Sequence, residues 1–87
     1  MQAPPSYETI CQWLIDELAK YGEVEADQDG DIHYYASGLL DSMSTLKFIV
    51  KVQKVFAVQF TPEQIIKGRL DSVYTLAHAI DQQLQGC

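Results

Sequence analysis

The stretch Ser37-Gly38-Leu39-Leu40-Asp41-Ser42-Met43 divides the chain in two. Ahead of it lies a long polar connection. Behind it Leu46, Ile49, Val50 and Phe56 fall at helical spacing. Asp41 or Ser42 is therefore expected to cap a helix, because short polar side chains accept the unpaired N–H groups of a helix start. A serine hydroxyl there stands exposed where those N–H groups and the helix dipole favour an anion, a good place for a phosphate ester. Two leucines anchor the approach, and apolar Met43 beside an exposed serine suggests a surface on which other proteins dock.

The helix opened by Ser42 is predicted to run to about Phe56, with Leu46, Ile49, Val50, Val52 and Phe56 as its inward stripe. Upstream, Ser6 is a plausible cap for a first helix over Tyr7 to Tyr21, ended by Gly22. Ile10, Trp13, Leu14, Leu18 and Tyr21 would line its inner face. Residues 23–41 form a connection long enough to need pinning, and Ile32, Tyr34, Leu39 and Leu40 are the candidates. Downstream, Val58 and Phe60 anchor an exit segment. Thr61-Pro62-Glu63-Gln64 then starts a short helix stopping near Gly68. Asp71 or Ser72 caps a last helix with Val73, Leu76, Ala77, Ile80 and Leu84 inward. No strand pattern or internal repeat is present. The expected fold is all-α, a small four-helix bundle of three longer helices and one short one.

Eighty-seven residues allow one domain, residues 1–87, with its core at about 7–84. An apolar fraction of 47% suits a folded chain. The net charge of −6 disfavours nucleic acid, which calls for a basic footprint. No apolar run is long enough for a membrane span, and the N-terminus lacks a signal-peptide pattern, so a cytoplasmic protein is expected. Met1 and the short tails suggest a free-standing protein, and a monomer is expected. Cys11 reads as a small core residue and Cys87 as a free terminal thiol.

Other chemistry finds little support. Asp27-Gln28-Asp29-Gly30-Asp31 resembles a calcium loop, but the glycine and the closing glutamate are not where an EF-hand requires them. His33 and His78 have no Cys or His at metal-ligand spacing, so no metal is expected. No nucleophile-elbow pattern surrounds Ser42, and no catalytic residue is assigned. Asp71-Ser72 repeats the Asp-Ser pair, but capping alone explains it.

Gly38-Leu39-Leu40-Asp41-Ser42-Met43, opening the second helix of a four-helix acidic chain, resembles the attachment site of acyl and peptidyl carrier proteins. The likeness extends over roughly residues 7–84 and includes the long first connection, the Phe56-to-Phe60 exit, a short third helix, and Leu76-Ala77 with Ile80. It implies that Ser42 is esterified with 4′-phosphopantetheine from coenzyme A, and that the arm's thiol carries an acyl or aminoacyl unit. It implies that Asp41 helps present the serine, and that Met43 contacts partner enzymes. Leu46, Val50, Phe60 and Ile65 would face any cargo from between the second and third helices. The implied partners are a phosphopantetheinyl transferase, a loading ligase, adenylation enzyme or acyltransferase, and condensing or tailoring enzymes. The chain would be their substrate and not itself an enzyme.

One departure separates the chain from fatty-acid carriers, whose second helix resembles an acidic docking face. Here that helix carries Lys47, Lys51 and Lys54 on one side. Such a row is either an ordinary solvated face or a docking stripe for acidic partners. Ala57 stands where the family usually has glycine. The expected role is a stand-alone carrier in a specialised polyketide or nonribosomal peptide pathway. The alternatives are a D-alanyl carrier, or a helical interaction module in which Ser42 merely caps its helix.

Overall fold

A computed structural model describes residues 4–66 and 70–86. Four helices account for its regular structure: α1 (Tyr7–Leu18), α2 (Ser42–Phe56), α3 (Pro62–Ile66) and α4 (Val73–Gln85). No strand occurs among the described residues. The all-α bundle is therefore as expected, with α1 packed directly on α4. Ile10, Leu14 and Leu18 of α1 are fully buried with Leu76, Ala77 and Ile80 of α4. None of the four helices is long and apolar enough to cross a membrane.

Ser6 caps α1 by accepting the N–H of Thr9 at 3.2 Å. The helix ends at Leu18, three residues before the expected Tyr21. There the ladder tightens to i→i−3 bonds, with Tyr21 N–H donating to the Leu18 carbonyl at 2.9 Å. Tyr21 consequently leaves the inner face and is 42% exposed, meeting Phe48 edge-on at 6.4 Å between ring centroids. Trp13 is half-buried and packs edge-to-face on Phe56 at 5.3 Å. Cys11 is half-buried at the edge of the core.

The α2 bounds match the sequence expectation, and so do Ile49, Val52 and Phe56 of the inward stripe, but Leu46 and Val50 do not. Thr45, Phe48, Ile49 and Val52 are buried, whereas Leu46 and Val50 are each 47% exposed. The physical reason is Phe48, whose ring is clasped edge-on by the buried Tyr34 at 5.4 Å. An aromatic side chain removes more apolar surface from water than Leu or Val, so it sets the rotation of the helix. α2 ends where Ala57 takes the left-handed conformation, φ 56°, and the N–H groups of Ala57 and Val58 converge on the Gln53 carbonyl. This is the geometry that usually selects glycine.

The exit segment is held by Val58 and Phe60, both buried, and by two glutamines. Gln53 accepts the Phe60 N–H at 2.8 Å, and Gln83 of α4 exchanges two hydrogen bonds with the backbone of Gln59. Thr61 and Gln64 cap α3 reciprocally, each side chain accepting the other's N–H. The expected stop near Gly68 lies outside the described residues. For α4 the cap is Ser72 and not Asp71.

The long connection is pinned as expected by Ile32, Tyr34 and Leu40, all buried, while Leu39 is half-buried. The Tyr34 hydroxyl, driven upward in pKa by burial, donates to the Leu70 carbonyl. Ile32 and Asp31 accept the first N–H groups of α4, from Val73 at 3.0 Å and Tyr74 at 2.9 Å.

Candidate functional site

The site begins with the register of one cap. Asp41, in extended backbone, accepts the Ser44 N–H at 2.8 Å and makes itself the N-cap of α2. That N–H holds the Asp41 carboxyl below the usual carboxylate range. Ser42 is thereby the first residue of the helix, freed from capping, and exposed. The N–H groups of Ser42 and Met43, at the first two helical positions, have no acceptor within the helix. Ser42 therefore does not cap its helix, as the alternative reading supposed; Asp41 does.

The approach to Ser42 is a compact knot. Ser37 N–H donates to the His33 carbonyl at 2.9 Å, Gly38 N–H to the Tyr35 carbonyl at 3.1 Å, and Leu40 N–H to the Tyr34 carbonyl at 2.8 Å. Gly38 makes the turn with φ +84°, a conformation that disfavours any side chain even though the space beside it is open. Burial of Tyr34 turns its neighbour Tyr35 outward, about half exposed, with its hydroxyl 3.3 Å from Ser42 Oγ. One turn along the helix, Thr45 Oγ1 is buried without a hydrogen-bond partner among the described residues. An unpaired hydroxyl so placed is costly unless something supplies the missing bond.

Met43 is 62% exposed and continues along α2 into the exposed Leu46 and Val50, with Lys47 and Lys54 beside them. The lysine row is not uniform. Lys51 reaches back to the buried carboxylate of Glu17 in α1, which Lys20 also meets at 3.1 Å. The Lys51 ammonium holds the Glu17 carboxyl below its ordinary value. Lys51 therefore ties α2 to α1, a role invisible in local pattern because the partners lie 34 residues apart.

The four residues expected to face cargo are not brought together as a set. Phe60 is buried and Ile65 is packed on the core, while Leu46 and Val50 point to the surface. A cavity of about 550 Å³ opens elsewhere, lined by Tyr7, Gln64, Leu70, Tyr74 and His78 among others, and includes none of the four. In the acidic turn, Asp27 accepts N–H groups from Asp29 and Asp31, and its second oxygen lies 2.7 Å from His33 Nε2. Asp31 Oδ2 is 3.9 Å from the same nitrogen, so the three side chains meet although their spacing fits no metal motif. His33 is raised in pKa, chiefly by the Asp27 hydrogen bond.

A sequence model of the phosphopantetheine attachment site family matches residues 12–80. The chain belongs to that family, whose domain is where 4′-phosphopantetheine is covalently attached. It is a carrier protein, of a kind that meets a phosphopantetheinyl transferase and biosynthetic enzymes. No curated protein and no solved structure matches it significantly.

The residues present suit the prosthetic group. An exposed hydroxyl starts the helix, unpaired N–H groups and a phenol surround it, and the orphaned Thr45 hydroxyl lies one turn on.

Proposed function

We propose that Ser42 is the attachment residue, and that the protein carries acyl or aminoacyl units between enzymes without catalysing a reaction itself. The supporting observation is the register at α2: Asp41 takes the cap and leaves Ser42 Oγ exposed at the first helical position. When bound, the group supplies a flexible arm ending in a thiol that can hold a carboxylic acid as a thioester. The helix N-terminus favours the negative phosphodiester by about 0.3–1 kcal/mol at an exposed site. Asp41 fixes the position of the serine through its bond to Ser44 and presents a carboxylate to the loading enzyme.

Partner enzymes meet the exposed face of α2. Met43, Leu46 and Val50 give it an apolar line, and Lys47 and Lys54 give it positive flanks. The complement is an apolar groove with an acidic rim, which repels carriers whose second helix is acidic. Lys51 contributes less to docking, since it is engaged by Glu17. This charge pattern supports service in a specialised pathway, polyketide or nonribosomal peptide, over general fatty-acid synthesis.

Intact mass after incubation with coenzyme A and a promiscuous phosphopantetheinyl transferase tests the assignment. One added phosphopantetheine is expected on the native chain and none on Ser42→Ala. A modified Ser42→Ala protein would overturn the assignment of the residue.

A further inference from the structure

We infer that Tyr35 is a positioning residue for the arm, its phenol donating to the phosphodiester once Ser42 is loaded. The inference rests on Ser42 being the attachment residue. Its starting point is the contact of the Tyr35 hydroxyl with Ser42 Oγ, at 3.3 Å, made across seven residues of chain.

That contact follows from the knot beneath it. Tyr34 is fixed at both ends, its carbonyl by the Leu40 N–H at 2.8 Å and its hydroxyl by Leu70. The Tyr35 carbonyl is fixed in turn by the Gly38 N–H at 3.1 Å. The backbone on both sides of Tyr35 is thus committed, and its ring is held out over the start of α2 before any ligand arrives. Only the side-chain torsions remain to be ordered, so a bond made by this hydroxyl carries little further entropic cost.

Loading changes which acceptor the phenol meets. Ser42 Oγ forms a bond to the pantetheine phosphorus of coenzyme A, the phosphorus–oxygen bond of the pyrophosphate breaks, and adenosine 3′,5′-bisphosphate leaves. The serine proton passes to a base of the transferase. The oxygen that Tyr35 touched then becomes an ester oxygen, a poor acceptor. Two bonds beyond it, on the same phosphorus, stand the non-bridging oxygens, which share a negative charge. A phenol donating to such an oxygen makes a charge-assisted bond, shorter and roughly twice as strong as a neutral one. Tyr35 supplies from the loop a donor that complements the N–H groups of the helix N-terminus, so the root of the arm is held from two sides.

The test compares native protein, Tyr35→Phe and Ser42→Ala after treatment with coenzyme A and the transferase. Intact mass is followed by phosphorus NMR of the loaded forms. Tyr35→Phe keeps the ring and is expected to fold and load. Its phosphorus resonance should be displaced from that of the native protein at pH 7. Loaded native and Tyr35→Phe proteins with the same phosphorus resonance would overturn the inference and leave the attachment reading standing. Absence of any mass gain on the native chain would overturn both.

Discussion

Asp41-Ser42 and Asp71-Ser72 are the same dipeptide at the start of two helices, and the fold uses them in opposite registers. At α4 the serine is the cap, 1% exposed, and it shares a reciprocal capping box with Thr75. At α2 the aspartate is the cap and the serine moves one position inward, to the exposed first turn. A one-residue shift turns a structural hydroxyl into an available one. Tyr34 and Tyr35 repeat the lesson beside the site: one hydroxyl is sealed against Leu70, and the other reaches Ser42. Availability for chemistry is set here by register, since the residue types are identical.

The comparison can be broken most forcefully at the tyrosines. Tyr34→Phe leaves the Leu70 carbonyl without its donor and is expected to cost about 1–3 kcal/mol, seen as a lower urea midpoint. Equal loss from Tyr35→Phe would contradict the division between sealed and available hydroxyls, since an exposed substitution should stay within about 0.5 kcal/mol. The serines come next. Ser72→Ala removes a buried cap and should cost about 1 kcal/mol, a fall of roughly 4–8 °C in Tm. Ser42→Ala should change Tm little, because Asp41 keeps the cap. A cost at Ser42 matching that at Ser72 would mean that both serines cap.

Smaller effects appear with pH, with opposite signs in two regions. Glu17 is depressed in pKa by Lys51, so its pair stabilises the fold above the unfolded carboxylate value, about 4.3. That contribution is lost as pH falls through the lower folded value, and Lys51→Met should flatten the acid limb of the urea-midpoint profile. His33 is raised by Asp27, with Asp31 and Asp71 adding to it. Its contribution is complete below the unfolded value of about 6.5 and is lost as pH rises through the folded one. His33→Asn should therefore remove a decline in stability as pH rises from about 6.5 through the folded value.

Much of this was legible in the sequence. The bounds of α2, the reciprocal cap of Thr61 and Gln64, and the pinning of the loop by Ile32, Tyr34 and Leu40 all follow from local pattern. So did the exposure of Ser42, because capping and periodicity are properties of neighbouring residues. The rotation of α2 was not legible. Leu46 and Val50 fit a helical stripe as well as Phe48 does, and only the Tyr34 ring across the core decides between them. The Glu17–Lys51 pair depends on how two helices meet, and the Asp27–His33 contact on how the acidic turn folds back on itself, neither of which spacing along the chain reveals. Tyr35 at Ser42 depends on the Gly38 turn. The glycine was visible, but its direction was not.

The most direct test of the register argument is to load the native protein from coenzyme A and locate the modification by fragment mass. The account predicts phosphopantetheine on Ser42 alone, with Ser44 and Ser72 unmodified. Modification at Ser72 or Ser44 would contradict it.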